Sequence, residues 1–93
     1  MENVIAQLDA VINALALMPD PETDGGHFGT REALAYALMA RANARGRADL
    51  DATRADLERA IEIFDHDTPD TAGADECRGI LADVLGAQLA AAA

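Results

Sequence analysis

The sequence predicts an all-α domain, and three observations carry that expectation. Alanine, the strongest helix former, is the commonest residue. Apolar residues recur at spacings of three and four in four separate segments. Aromatic residues make up only 3% of the chain, so any core must be built from Leu, Ile, Val, Met and Ala. With 93 residues and 51% hydrophobic content, the chain forms a single helical domain, residues 1–93, close to the smallest size that buries a core unaided.

The first segment, near residues 3–18, places Val4, Leu8, Val11, Leu15 and Met18 in a 4-3-4-3 register, with Ile5 and Ile12 alongside. Pro19 and Pro21 end it. The second runs from about Thr30 to Arg45 on Leu34, Leu38 and the small residues Ala33, Ala37, Ala40 and Ala44. Gly46 suits the position just past its end, and Arg41 and Arg45 suit the negative pole of the helix dipole. The third, near 50–64, takes Asp49 or Asp51 as N-cap and carries Leu50, Leu57, Ile61 and Phe64. The fourth, near 72–90, follows Thr68 and Pro69, a cap and first-turn pair. Its apolar set is Cys77, Ile80, Leu81, Val84, Leu85 and Leu89, and Gly73 weakens its first turn. The tight link at 46–49 makes the second and third helices antiparallel neighbours.

The chain also matches itself. "LAYAL" at 34–38 and "LADVL" at 81–85 share Leu-Ala-x-x-Leu, and "NALALMPD" at 13–20 falls on "RAIEIFDH" at 59–66 at nearly the same offset. Helix 1 thus corresponds to helix 3 and helix 2 to helix 4, an αα pair with a period near 46. Ala14, Ala35, Ala60 and Ala82 would let helices approach closely, while Leu34, Leu38, Leu81 and Leu85 fill the space between pairs. An ordinary four-helix bundle accounts for the same core residues and is the competing architecture.

These anchors resemble the tetratricopeptide repeat. That family has Leu-Gly/Ala-x-x-Tyr/Leu in its A helix, here Leu34-Ala35-x-x-Leu38 and Leu81-Ala82-x-x-Leu85. Its B helix ends in a small residue five positions before a proline, here Ala14 and Pro19. The stretch from Ala48 to Asp70 looks like the longer repeats of actinobacterial regulators. The period departs from the usual 34 toward that of HEAT-like repeats, position 65 is Asp where the second proline would stand, and the large aromatic of helix A is missing. The resemblance implies an interaction module whose A helices line a groove. It places Glu32, Tyr36, Met39 and Asn43 on that face from helix 2, and Glu76 and Asp83 from helix 4. Some members bind C-terminal carboxylates through Lys and Asn; a face with acids and no Lys fits a basic or apolar segment instead.

Charge and motif content remove other functions. Net charge is −10 with no Lys, which disfavours nucleic acid and anionic membranes. No run is long or apolar enough for a membrane span, and the N-terminus has no signal-peptide pattern, so a cytoplasmic location is expected. His27, His66 and Cys77 fit no metal-ligand spacing, so no metal or cofactor is expected, and Cys77 reads as core. "DGGHFG" lacks the basic residue of a phosphate-binding loop, and Phe28 is expected beneath it as part of a turn. A carrier protein with a phosphopantetheine arm is excluded because the chain has no serine. The chain is therefore not expected to be an enzyme. The expected partner is another protein or a second copy, since the apolar surface of helix 1 is wider than one contact stripe needs. The alternative role is a self-assembling, dimeric accessory subunit.

Overall fold

The computed structural model describes residues 2–18, 29–68 and 70–92. It is all-helical in these residues, with α1 at Glu2–Ala16, α2 at Gly29–Arg45, α3 at Leu50–His66 and α4 at Thr71–Ala92. All four predicted helices are present, with ends displaced by at most two residues. The expected stops and turns at Pro19, Pro21, His27, Phe28 and Pro69 lie outside the described residues.

Local chemistry fixes the corners. Gly46 ends α2 with φ +58, a left-handed conformation that costs a residue with Cβ, and its N–H donates to Ala42 O at 2.9 Å. Of the two candidate caps for α3, Asp49 is used: its carboxylate accepts from the Ala52 N–H at 3.1 Å. Thr53, fully buried, ties the corner by donating to Gly46 O at 3.1 Å. The cap of α4 is a correction. Asp70, not Thr68, accepts from the first turn, through Gly73 N–H at 2.8 Å. Thr68 instead donates to Phe64 O and accepts from the Asp70 N–H, so it closes the end of α3.

Each helix packs against its neighbour in sequence: α1 on α2, α2 on α3, α3 on α4. Phe64 and Gly73 meet near one end of the α3–α4 pair, and Arg54 and Gln88 at the other, so these helices are antiparallel. Tyr36 against Phe64 and Arg41 against Asp56 give the same sense for α2 and α3. It follows that α2 and α4 run parallel, on either side of α3. The molecule measures 49 × 28 × 16 Å, a flattened body.

The core lies where α2 and α3 meet their neighbours. Leu34, Ala35, Leu38, Leu57, Ala60 and Cys77 have no exposure, with Phe64 and Ile12 at 2%. The repeated small residues divide accordingly. Ala35 and Ala60, on the two inner helices, are buried as expected; Ala14 and Ala82, on the outer ones, are exposed. Cys77 is core, and burial pushes its thiol up to about 11.

Gly73 has a packing reason. A Cβ there would lie 2.6 and 2.8 Å from Phe64 ring carbons and 2.9 Å from the Tyr36 hydroxyl. Alanine is worth about 1 kcal/mol over glycine within a helix, but the Phe64 ring is buried and cannot retreat. Gly73→Ala is therefore expected to destabilise by about 1–2 kcal/mol net. Guanidinium unfolding of Gly73→Ala alone and with Phe64→Leu checks this, since the smaller side chain should recover most of the loss.

Candidate functional site

The face shared by α2 and α4 is organised as two rungs. Tyr36 and Asn43 are seven residues apart on α2, and Glu76 and Asp83 are seven apart on α4, about 10 Å in each case. Because the helices are parallel, Tyr36 sits by the start of α4, within the field of Glu76. Asn43 and Asp83 line one cavity two turns further on.

At the first rung Tyr36 is 39% exposed and its ring packs edge-on to Phe64, centroids 5.1 Å apart. Its hydroxyl donates to Asp70 Oδ2 at 2.6 Å. That bond, followed by partial burial and the charges of Asp70, Glu32 and Glu76, pushes the Tyr36 phenol up to about 12. Asp70 is held below the ordinary carboxylate range, first by the Tyr36 hydroxyl and then by the Gly73 N–H. Glu32 moves the opposite way, raised first through hydrogen bonding with Asp70 and then by desolvation and like charge. The rung is thus an anionic corner with one amphipathic ring in it.

The second rung borders a cavity of about 120 Å³. Its floor is Ala42, Leu50, Ile80, Val84 and Ala87; Asn43 and Arg47 stand on one rim and Asp83 on the other. A volume near 150 Å³ holds a benzene-sized apolar group, so this cavity fits one aliphatic side chain. Arg47 and Leu50 also border a wider depression of about 520 Å³ that reaches Gln88 and Ala91 over the α2–α3 corner.

Of the six residues expected on this face, Glu32 is half-buried, Tyr36, Asn43, Glu76 and Asp83 are exposed, and Met39 is the exception. Met39 is a correction: at 6% exposure it packs in the core and offers no contact surface. The tetratricopeptide resemblance implied a groove position for Met39, but here its side chain joins the buried cluster with Leu38 and Ala42. Asp70, Arg47 and the floor residues Leu50, Ile80 and Val84 were missed. Asp70 enters from a loop, whereas Leu50 on α3 and Ile80 and Val84 on α4 belong to the apolar stripes that periodicity marks as core, and only the packing of α2, α3 and α4 opens a cavity over them.

Elsewhere, the acids are engaged differently. Arg41 spans α1, α2 and α3: Nε and Nη2 donate to the Asp56 carboxylate at 2.8 and 2.7 Å, and Nη1 donates to Asp9 at 2.8 Å. Arg45 adds a third bond to Asp56 at 2.9 Å. Arg78 joins Asp65 and Asp75. His66 is the last residue of α3 and exposed, while Cys77 is buried; among the described residues no three potential metal ligands cluster. No described helix is long and apolar enough to cross a membrane. No known protein family, curated protein or solved structure matches this chain.

Proposed function

We propose that the chain is a protein–protein interaction module of tetratricopeptide-like type, and that the α2–α4 face receives an extended or helical segment of a partner protein. The observation that carries this reading is the side-chain-sized apolar cavity, with Asp83 on its rim, two helical turns along the same face from the anionic corner at Glu32, Tyr36, Asp70 and Glu76. An apolar residue of the partner would enter the cavity, and a Lys or Arg placed one to two helical turns away would meet the acids. Tyr36 supplies a large amphipathic surface at low entropic cost, the usual character of an interface anchor.

The test is an amide-shift titration with a panel of short peptides. Each peptide carries one Leu or Ile, flanked either by Lys/Arg or by Asp/Glu. Basic peptides are expected to perturb Tyr36, Asn43, Ile80 and Asp83, and to bind more weakly as salt rises. Filling the cavity with Ala87→Phe should abolish binding while leaving α-helical content unchanged. Equal response to acidic peptides, or shifts confined to other faces, would sink the proposal.

A further inference from the structure

The cavity between α2 and α4 has an apolar floor and opposite charges at its mouth. Asn43 on α2 and Arg47 just past its end line one side, and Asp83 on α4 lines the other. Helical spacing brings Asp83 to this mouth. It lies three residues after Ile80 and four before Ala87, on the same face of α4.

Neither rim charge is used within the described residues. Arg41, Arg45, Arg54 and Arg78 are held in ion pairs there, whereas Arg47 and Asp83 belong to none and do not reach each other across the mouth. The acids that share the adjoining depression with Arg47 are engaged elsewhere. Asp49 accepts from the Ala52 N–H at 3.1 Å, and Asp51 accepts from Gln88 Nε2 at 2.8 Å.

We infer that this cavity binds a free aliphatic amino acid, its side chain on the floor, its carboxylate on Arg47 and its ammonium on Asp83. The volume of about 120 Å³ is below the roughly 150 Å³ that holds benzene, so the side chain of valine, leucine or isoleucine fits and an aromatic one does not. A guanidinium matches a carboxylate with paired donors. The Asn43 amide carries both donors and an acceptor and can bond either head group. Net charge selects a zwitterion. A chain at −10 repels free anions, but an amino acid is neutral overall and meets no such barrier. A fatty acid would leave Asp83 without a counter-charge, and an alkylamine would leave Arg47 without one. The end of a polypeptide offers one head group or the other, whereas a free amino acid brings both beside its side chain. The inference shares the cavity with the interaction reading but does not depend on a protein partner.

Amide-shift titrations with leucine, N-acetylleucine and leucine amide test this. An amino acid is small, so the dissociation constant for leucine should be on the order of a millimolar. Saturable shifts are expected at Asn43, Arg47, Asp83 and Val84. N-acetylleucine lacks the ammonium and leucine amide lacks the carboxylate, and each should bind about tenfold more weakly. Arg47→Gln and Asp83→Asn, both at exposed positions, should each weaken leucine to a similar extent with an unchanged helical spectrum. Arg59→Gln, on the exposed side of α3, should bind like the parent. No saturable shift at these residues with leucine at tens of millimolar, or a capped leucine that binds as tightly as the free one, or leucine binding untouched by both Arg47→Gln and Asp83→Asn, overturns the inference. Peptide binding that persists where leucine fails would leave the interaction reading standing, and leucine binding without peptide binding would do the reverse.

Discussion

Replacing Asp56 with alanine is expected to lower stability by about 3 kcal/mol, shifting the melting temperature by roughly 10–20 °C. Asp56 is 7% exposed, and its carboxylate takes three hydrogen bonds, two from Arg41 and one from Arg45. Removing it strands two guanidinium groups whose side chains are 18 and 16% exposed. The lower end of the usual range for a broken buried pair applies, because Arg41 keeps the half-exposed Asp9. Replacing both partners, Asp56→Leu with Arg41→Met, should cost less than the two single losses added together, since neither member of that pair is left facing an empty position, although Arg45 still loses Asp56 and Asp9 still loses Arg41. Chemical unfolding of the four members of that cycle gives the answer, and a cost below about 1 kcal/mol for Asp56→Ala would mean the network is solvated. Acid should act on the same group. Burial raises the Asp56 carboxyl, but the hydrogen bonds and charges of Arg41 and Arg45 outweigh it and hold the group below its ordinary value of 3.8. A carboxyl lowered by folding contributes fully above its unfolded value and loses the contribution as pH falls through its folded value. The parent should therefore lose stability below about pH 4 more steeply than the Leu–Met double variant.

The second large effect separates the two halves of the apparent repeat. Leu34→Ala is expected to cost about 3–4 kcal/mol, because Leu34 has no exposure and lies on a helix flanked by both α1 and α3. Leu81→Ala is expected to cost about 1–2 kcal/mol. Leu81 is only partly buried, and α4 packs mainly on α3. The sequence pattern makes the two positions equivalent; their surroundings do not. Urea unfolding of the two variants checks the ratio. Equal losses would show that something further covers α4 in solution.

The helices were legible in the sequence because they follow from local chemistry. Spacings of three and four placed all four, Gly46 ended α2 where a left-handed residue was needed, and Asp49 capped α3. Leu34, Leu38, Leu57 and Phe64 were readable as core from the same periodicity. Tyr36 and Asn43 on α2 and Glu76 and Asp83 on α4 are expected on one face only through the tetratricopeptide resemblance; all four are exposed. Tertiary structure decided what periodicity does not contain. Met39 is buried in the common core, and Asp70 reaches Tyr36 from a loop. Arg41 and Arg45 look like ordinary end-of-helix cations in sequence, yet their guanidinium groups are drawn to Asp56, eleven or more residues away. Ala14 and Ala82 match Ala60 and Ala35 in the repeat but face water, since each outer helix has one main neighbour to bury it. A helix's register depends on residues a few positions apart, whereas its burial and its ion partners depend on which other helices end up beside it.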